Sequence, residues 1–235
     1  MEFWHPHSTD KSDEDEERYA EARLEMIEQI RAMELDAYEF DPTPLSEKVL
    51  DIMSRVPRHR FVPEGELFSA YNNYPLPIGH GQTISQPYIV ALMTGLLALD
   101  KQHSVLEVGT GSGYQAAILS EMAGKVYSME IVVPLAAAAA KLLGELGYGN
   151  VEVKAGDGSA GWPEHAPYDG IIVTAAATHV PQPLLDQLKP GGRMVIPVGG
   201  QFDVQQLLLI TKDRDGLTHR KNIEPVRFVP LIGRN

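Results

Sequence analysis

The chain has 235 residues, of which 43% are hydrophobic and none is cysteine, so disulfides, thiolate catalysis and zinc–thiolate sites are excluded and a reducing compartment is expected. Its length suits one large domain, or one domain with an extension, and no apolar run reaches the roughly 18 residues that a membrane-spanning helix needs. The net charge of −12 arises mainly from residues 1–41, which carry fourteen acidic and four basic side chains, so the nearly neutral remainder offers no basic patch for nucleic acid.

The N-terminal part of the chain is predicted to hold an acidic tail and two amphipathic helices. Residues 1–17 have the charge density of a solvated, disordered tail. A helix is expected from about Arg18, because apolar residues recur at steps of three and four. Its apolar stripe consists of Tyr19, Ala22, Met26, Ile30 and Met33. A second helix is expected after Thr43, with Thr43 as N-cap and Pro44 in the first turn, and it should end at Pro57.

Residues 58–87 differ from the segments on either side. They are rich in proline, glycine, asparagine and aromatic residues and show little periodicity. A connection of this length inside a compact domain is usually functional or disordered, and the apolar content argues against disorder. A third helix is expected from Ser85, at the N-cap position, to about Leu99.

From residue 104 onward, short apolar runs alternate with helical segments, which is typical of a parallel sheet covered by helices. The expected strands are Ser104–Val108, Lys125–Glu130, Asn150–Lys154, Tyr168–Thr174 and Arg193–Val198. The expected helices are Gln115–Met122, Pro134–Leu146 and Pro183–Leu188. Two final runs, Val204–Lys212 and Leu217–Ile223, flank Asp213–Gly216 and predict an antiparallel hairpin.

The segment Val105–Tyr114 joins the first of these strands to a helix through Gly109, Gly111 and Gly113. Glycine permits positive φ and lets a ligand approach the backbone, and a helix N-terminus supplies free N–H groups with a partial positive charge. This pattern suits an adenosine-containing cofactor at the strand ends of an α/β sheet, although a plain strand-to-helix connection produces it as well.

Three acidic residues bear on the choice of cofactor. Glu130 lies 21 residues after Gly109, where a carboxylate can accept hydrogen bonds from ribose hydroxyls, or where it is an ordinary exposed acid. The dinucleotide fingerprint G-x-G-x-x-G is not met, because Tyr114 occupies the place of its last glycine. Glu107 would repel a pyrophosphate and suits an ammonium group, which S-adenosylmethionine carries. Asp157, beside Gly158, suits an adenine amino group or an Asx turn.

These motifs together resemble the class I S-adenosylmethionine-dependent methyltransferases. The residues that carry this resemblance are Val105–Gly113, Glu130, Gly156–Gly158 and Leu188–Arg193. Three further segments are similar to the protein-L-isoaspartate (D-aspartate) O-methyltransferases: Pro57–Pro63, Pro77–Pro87 and Val226–Leu231. The resemblance covers the chain from about residue 24, and it implies no role for the acidic extension before that residue.

The resemblance implies an α/β, Rossmann-like, doubly wound fold. We expect a mainly parallel seven-stranded sheet with a C-terminal antiparallel hairpin and an N-terminal helical extension. Residues 18–100 should supply the helices and the active-site loop, and residues 101–235 the cofactor-binding core. Residues 18–235 should form one compact domain.

The implied reaction transfers a methyl group from S-adenosyl-L-methionine to the α-carboxylate of an L-isoaspartyl residue, leaving S-adenosyl-L-homocysteine and starting repair through a succinimide. By the same resemblance Ser85 is the active-site residue, orienting a reactant. The implied cofactor-binding residues are Gln82, Thr83, Ile84, Glu107, Gly109, Gly111, Ser112, Gly113, Glu130, Ile131, Asp157, Gly158 and Thr174. The implied substrate-binding residues are Ile78, Ser85, Val226, Phe228, Val229 and Leu231, with the main chain of Val226–Leu231 pairing to an extended peptide.

No metal is expected, because the histidines lack metal-ligand spacing. The expected partners are isoaspartyl-containing proteins and peptides, with no nucleic acid and no membrane, and the expected state is a cytoplasmic monomer. The alternatives are a methyltransferase acting on another acceptor, a nicotinamide oxidoreductase, and a non-catalytic isoaspartyl-binding protein.

Overall fold

The computed structural model describes residues 13–37, 45–200 and 203–233. The chain forms two compact units, one extending to Gly95 and one beginning at Leu96. The grouping of residues 18–235 into one compact domain stays a prediction. Within the described ranges, no helix is both long and apolar enough to cross a membrane.

The first unit contains three helices and a small two-stranded sheet. Its elements are α1 (Asp13–Ala37), α2 (Glu47–Met53), 3-10 turns at Arg58–Phe61 and Glu64–Ser69, β1 (Leu76–Gly79), β2 (Gln82–Ile84) and α3 (Pro87–Leu96). Helix α1 begins at Asp13, earlier than the predicted start at Arg18, and residues 1–12 of the predicted tail lie outside the described residues. The early start has a local cause, since Asp15 complements the helix N-terminus and forms an i,i+3 ion pair of 3.0 Å with Arg18.

The predicted apolar stripe of α1 is buried over most of its length. Tyr19, Met26 and Ile30 are buried, whereas Met33, at the end of the stripe, is on the surface. The predicted cap at Thr43 lies outside the described residues. Helix α2 instead has Ser46 at its N-cap and ends at Met53, before the expected end at Pro57.

The hairpin of β1 and β2 lies in the segment for which no regular element was predicted. The two strands pair antiparallel, with Leu76 opposite Ile84. Gly79, His80 and Gly81 have φ values of +88°, +53° and +71°, and they form the turn. Strands of four and three residues are too short to show an alternating pattern, which explains why the sequence did not indicate them.

The second unit is a seven-stranded sheet with helices between its parallel strands. Its elements are β3 (Ser104–Val108), α4 (Tyr114–Met122), β4 (Lys125–Glu130), α5 (Val133–Glu145), β5 (Val151–Ala155), β6 (Tyr168–Val173), α6 (Gln182–Gln187), β7 (Leu188–Val198), β8 (Gln205–Lys212) and β9 (Thr218–Val226). The strand order is β5-β4-β3-β6-β7-β8-β9. The first five strands in this order, β5, β4, β3, β6 and β7, are parallel to one another. Strand β8 runs antiparallel to both β7 and β9. The predicted fold class is confirmed.

Glycines with positive φ lie within β7 and just after α5. β7 begins at Leu188, so the residues predicted as a turn before Arg193 belong to the strand. Gly191, with φ of +87°, lies where the register with β6 shifts, so the chain passes through this irregularity without leaving the sheet. Helix α5 ends at Glu145, one residue before the predicted end at Leu146. The positive φ of Gly147 lets the N–H of Tyr148 bond to the carbonyl of Leu143.

The sheet order places the site. It reverses between β3 and β6, and in open α/β sheets ligands bind outside the carboxyl ends of the strands at such a switch point. Below this edge the unit has a continuous apolar core, in which Leu106, Ile171, Val173 and Ile196 are fully buried. The loops after β3, β4, β5 and β6 therefore emerge from a rigid base.

Candidate cofactor and acceptor sites

The glycine turn after β3 requires its glycines. Gly109, Gly111 and Gly113 have φ values of +101°, +53° and +90°, a region that favours glycine. The amides of Gly109 and Thr110 both donate to the carbonyl of Met129, at 2.8 and 3.2 Å, which ties the turn to β4. Helix α4 then begins with Gly113 at its N-cap.

Thr174 packs directly against this turn. Its hydroxyl donates to the carbonyls of Gly109 and Val108, at 2.7 and 3.1 Å, and so joins the ends of β6 and β3. A Cβ on Gly109 would lie 2.3 Å from the Thr174 Oγ1 atom. Gly109 is therefore required by its protein neighbour. The predicted contact of Thr174 with a cofactor stays a prediction.

Glu130, at the end of β4, holds the turn with both carboxylate oxygens. Oε2 accepts from the amide of Gly111 at 2.8 Å, and Oε1 accepts from the amide of Val132 at 2.9 Å. The residue is 5% exposed and is thus not the ordinary exposed acid of the alternative interpretation. Each carboxylate oxygen can accept a second hydrogen bond, so this arrangement leaves capacity for ribose hydroxyls. Ile131 follows it directly and is half-buried.

Glu107 is fully buried in β3. Its Oε2 accepts a hydrogen bond from the hydroxyl of Ser128, and that hydroxyl lies 2.5 Å from the Thr110 hydroxyl. Its Oε1 has no hydrogen-bond partner among the described residues. Burial raises the pKa of Glu107 to about 8; the Ser128 hydrogen bond opposes this and the charge of Glu130 adds to it. A cationic group at Oε1 would favour the ionised form and use the remaining oxygen.

Asp157 follows β5 and forms an Asx-type turn. Its Oδ1 accepts from the amide and the hydroxyl of Ser159, at 2.9 and 2.7 Å. The chain is tightly packed here, since a Cβ on Gly158 would lie 2.5 Å from Cγ1 of Val108. Asp157 thus forms the Asx turn that was predicted as the alternative to an adenine contact. Its contact with adenine stays a prediction.

Ser112 lies inside the glycine turn. It is 4% exposed, and its hydroxyl accepts weakly from the amide of Tyr114 at 3.4 Å. The predicted contact of Ser112 with a cofactor stays a prediction. In the ranges with assigned structure, no group of three or more His, Asp or Glu side chains is placed to hold a metal ion.

The predicted substrate wall follows β9. Val226 is the last residue of that strand and is buried, whereas Phe228, Val229 and Leu231 are half-buried. Two main-chain groups of this segment have a partner in Ala176. Ala176 donates to the carbonyl of Val229 at 2.8 Å and accepts from the amide of Leu231 at 2.7 Å.

The opposite edge of this segment is also occupied. The amide of Phe228 donates to Oε1 of Gln205 at 2.7 Å. These paired groups are not available to an extended peptide, and strand addition by the remaining main-chain groups of Val226–Leu231 stays a prediction. The contacts of Gln205 and Ala176 with this segment were not predicted. The one sequence signal for Gln205 is that it is a polar residue at the start of an apolar strand.

The predicted site residues of the first unit lie on or after its hairpin. Ile78 and Ile84 are buried, Gln82 is half-buried, and Thr83 is exposed. Neighbouring strand residues point to opposite faces, so Thr83 and Ile84 do not line one surface together. The predicted contacts of Gln82, Thr83 and Ile84 with a cofactor stay predictions.

Ser85 is half-buried and is not the N-cap of α3. The carbonyl of Gln86 accepts the first helical bond, from Val90 at 3.1 Å, and Pro87 is the first helical residue. Proline favours this first position, which moves the helix start beyond Ser85. The N-cap prediction was therefore wrong. The carbonyl of Ser85 accepts from Nη2 of Arg58 at 2.7 Å.

Comparison with known proteins identifies relatives over nearly the whole chain. A family model described as "Protein-L-isoaspartate(D-aspartate) O-methyltransferase (PCMT)" matches residues 38–235. "Protein-L-isoaspartate O-methyltransferase 2" of Syntrophobacter fumaroxidans is 60% identical over 216 residues, covering 92% of this chain and 87% of the relative. "Protein-L-isoaspartate O-methyltransferase 1" of Cupriavidus necator is 54% identical over 222 residues, and the match covers 92% of this chain and 84% of that relative.

Solved structures show the same fold. One named protein-L-isoaspartate O-methyltransferase has a TM-score of 0.77 at 29% identity, and the match covers 90% of this chain and 66% of that one. Another comes from Plasmodium falciparum and is described as a putative protein-L-isoaspartate O-methyltransferase in complex with S-adenosyl-L-homocysteine. It has a TM-score of 0.74 at 24% identity, and the match covers 89% of this chain and 98% of that one. The second likeness supports the fold alone.

Proposed function

The chain belongs to the protein-L-isoaspartate(D-aspartate) O-methyltransferase family, and from this premise we propose that it methylates the α-carboxylate of L-isoaspartyl residues in damaged proteins and peptides. The methyl donor is S-adenosyl-L-methionine. One observation carries the choice of donor: Glu107 is a fully buried carboxylate beside the glycine turn, with one oxygen that has no partner in the described chain. It suits a ligand with an ammonium group and would disfavour a pyrophosphate.

The residues of the second unit fit this cofactor. Glu107 binds its ammonium group, Glu130 its ribose hydroxyls and Asp157 its adenine amino group. The backbone of Gly111 lies against it without a Cβ in the way. A Cβ on Gly113 would instead meet Leu143 and Ala139 of α5, at 3.3 and 3.4 Å, so this glycine lets helix α5 pack against the turn. When bound, the cofactor supplies a methyl group on a sulfonium, which is a good leaving group.

The acceptor needs no general base. An isoaspartyl carboxylate has a pKa near 4 and is ionised at neutral pH, so the protein has only to align it. In-line alignment contributes up to roughly 7–11 kcal/mol in favourable cases. We assign that task to Ser85, whose hydroxyl orients a reactant without acting as a nucleophile. The methyl ester then closes to a succinimide, which reopens in part to normal aspartate.

We further propose that the protein acts on isoaspartyl-containing proteins and peptides as a monomer in the cytoplasm, and not on nucleic acid. The near-neutral charge of the chain after residue 41 supports the exclusion of nucleic acid.

Paired peptides that differ only in Asp or isoAsp test the proposal. They are incubated with the protein and S-adenosylmethionine labelled in its methyl group. Base-labile label on the isoAsp peptide alone is the expected result. Label on both peptides, or on neither, contradicts it; binding of the isoAsp peptide without label would indicate the non-catalytic alternative.

Ser85→Ala should lower the turnover of an isoaspartyl peptide about 100-fold, because misplacing a reactant by about 1 Å costs this much. Affinity for S-adenosylhomocysteine should change less than about threefold, since the main chain at Ser85 is retained. Steady-state kinetics and calorimetry measure the two effects. Ser69→Ala, in a 3-10 turn of the same unit, is the control and should turn over normally. Unchanged turnover in Ser85→Ala would remove Ser85 from the site.

Glu130→Ala should weaken binding of S-adenosylhomocysteine at least about 10-fold, as charged hydrogen bonds contribute roughly 1.5–3 kcal/mol each. It should also lower the melting temperature, because the amides of Gly111 and Val132 lose their acceptors. Calorimetry and thermal unfolding measure both. Glu152→Ala, which removes an acid from β5 outside the turn, is the control. Equal affinities of the wild type and Glu130→Ala would refute the ribose assignment.

A further inference from the structure

Arg58 is a fully buried arginine whose guanidinium bonds to two main-chain carbonyls of the first unit. Its Nε donates to the carbonyl of Ala70 at 2.8 Å, and its Nη2 donates to the carbonyl of Ser85 at 2.7 Å. These carbonyls lie 12 and 27 residues from Arg58 along the chain. One side chain therefore joins three separate parts of the segment between α2 and α3.

The chemistry of this contact is specific to arginine. Burying a cation is costly unless strong hydrogen bonds compensate for the loss of water, and bonds from a charged donor are the strong ones. The guanidinium is planar, and its donors have a fixed relative geometry, whereas a lysine ammonium is a compact point charge. Holding two carbonyls at once from one rigid group fixes their relative position.

The residues around Arg58 are themselves held. His59 places Nδ1 2.7 Å from the hydroxyl of Tyr71, and the ring of Tyr19 stacks on the His59 ring with centroids 3.8 Å apart. The Tyr71 hydroxyl also accepts from Nη1 of Arg23 at 3.2 Å. Two neighbouring residues thus make parallel contacts, Arg58 with Ala70 and His59 with Tyr71. These contacts restrain the main chain from which the Arg58 side chain extends.

The chain after Ser85 is held by a second residue. Asn73 accepts from the amide of Tyr88 through Oδ1, at 2.9 Å, and its carbonyl accepts from Nε2 of Gln86, also at 2.9 Å. Ser85 follows directly on β2, which is paired with β1. Its main chain is therefore restrained before it, after it, and at its own carbonyl by Arg58.

We infer that Arg58 is a positioning residue that fixes the main chain of Ser85 and thereby the direction of the Ser85 side chain. This inference rests on the proposed function, in which the Ser85 hydroxyl orients a reactant. Arg58 does not touch the substrate in this role. It acts through Ser85, so its effect on turnover should disappear when the Ser85 hydroxyl is absent.

A double-mutant cycle tests this dependence. Arg58→Lys keeps the charge and is expected to lower kcat for an isoaspartyl peptide about 10-fold, because a point charge cannot hold both carbonyls. In the Ser85→Ala background the same change should alter kcat less than about twofold, since the group it positions is gone. Arg58→Gln, which can donate to one carbonyl, gives a second route if the lysine variant does not fold.

Ile52→Val is the matched control. It removes one buried methyl group from α2, in the same unit, and leaves both hydrogen bonds of Arg58. It should lower the melting temperature and keep kcat within about twofold of the wild type, which separates positioning from general stability.

Two results would overturn the inference. One is that Arg58→Lys and Arg58→Gln both have the kcat of the wild type. The other is that Arg58→Lys lowers kcat by as large a factor in the Ser85→Ala protein as it does in the wild type. Either result leaves the proposed function intact if the wild type labels the isoAsp peptide. Failure of the wild type to label that peptide overturns the proposed function, and the positioning inference with it.

Discussion

Gly109→Ala is expected to lower the free energy of unfolding by about 4 kcal/mol, the sum of a strained backbone and a steric overlap. The φ of Gly109 is +101°, and its new Cβ would lie 2.3 Å from the Thr174 hydroxyl oxygen. The neighbouring strands β3 and β6 are buried, so neither can move aside cheaply. Urea unfolding followed by circular dichroism measures the change, and S-adenosylhomocysteine binding should be lost with it.

Two variants separate the causes. Gly144→Ala, in α5, has open space at its Cβ and should be stabilising by about 0.5–1 kcal/mol. Gly109→Ala combined with Thr174→Ala removes the close oxygen, leaving the Thr174 Cβ at 3.6 Å as the next neighbour. Thr174→Ala alone is the reference for the double variant, because it loses the two hydroxyl hydrogen bonds. Relative to it, the added Gly109→Ala change should cost about half as much as in the wild type, because the strain of the positive φ remains. A Gly109→Ala protein as stable as the wild type would contradict this geometry.

Affinity for S-adenosylhomocysteine should fall about 100-fold as the pH is lowered from 7 to 5, since each pH unit contributes about 1.4 kcal/mol when binding releases one proton. Burial raises the pKa of Glu107 to about 8 in the ligand-free protein, so below that pH the side chain is neutral. The ammonium group of the ligand requires the carboxylate. Calorimetry in two buffers with different ionisation heats should detect release of about one proton near pH 7.

The sign of the stability effect follows from the same shift. The folded chain binds the Glu107 proton more tightly than the unfolded chain, whose pKa is the ordinary 4.5. The stability from this group is complete below pH 4.5 and is lost as the pH rises to about 8. Glu107→Gln should remove this dependence, bind the ligand weakly and release no proton. A ligand affinity that is equal at pH 5 and 7 in the wild type would exclude Glu107 as the ammonium site.

The parallel core was predictable because local and global signals agree there. β3 and β4 have the predicted bounds, since each is an apolar run followed by residues that end a strand. The first unit was less predictable. Its hairpin strands are too short for periodicity, and Pro87 rather than Ser85 sets the start of α3.

The site was predictable where residue type alone carries the chemistry. Glu107 and Glu130 stand out as acids beside a glycine turn, and both lie at the ends of adjacent strands. Contacts made by folding were not predictable. Gln205 meets Phe228 across 23 residues, and Arg58 meets Ser85 across 27, so no local pattern records them. The partners of Val229 and Leu231 were not predictable for the same reason, because sequence does not show which main-chain groups pair within the fold.

We propose above all that the glycine turn between Glu107 and Glu130 holds the cofactor. A crystal structure of the complex with S-adenosylhomocysteine tests it most directly. We predict the amino group of the ligand at Oε1 of Glu107 and its ribose hydroxyls at the carboxylate of Glu130. A ligand bound elsewhere, or bound with its amino group away from Glu107, would contradict the claim.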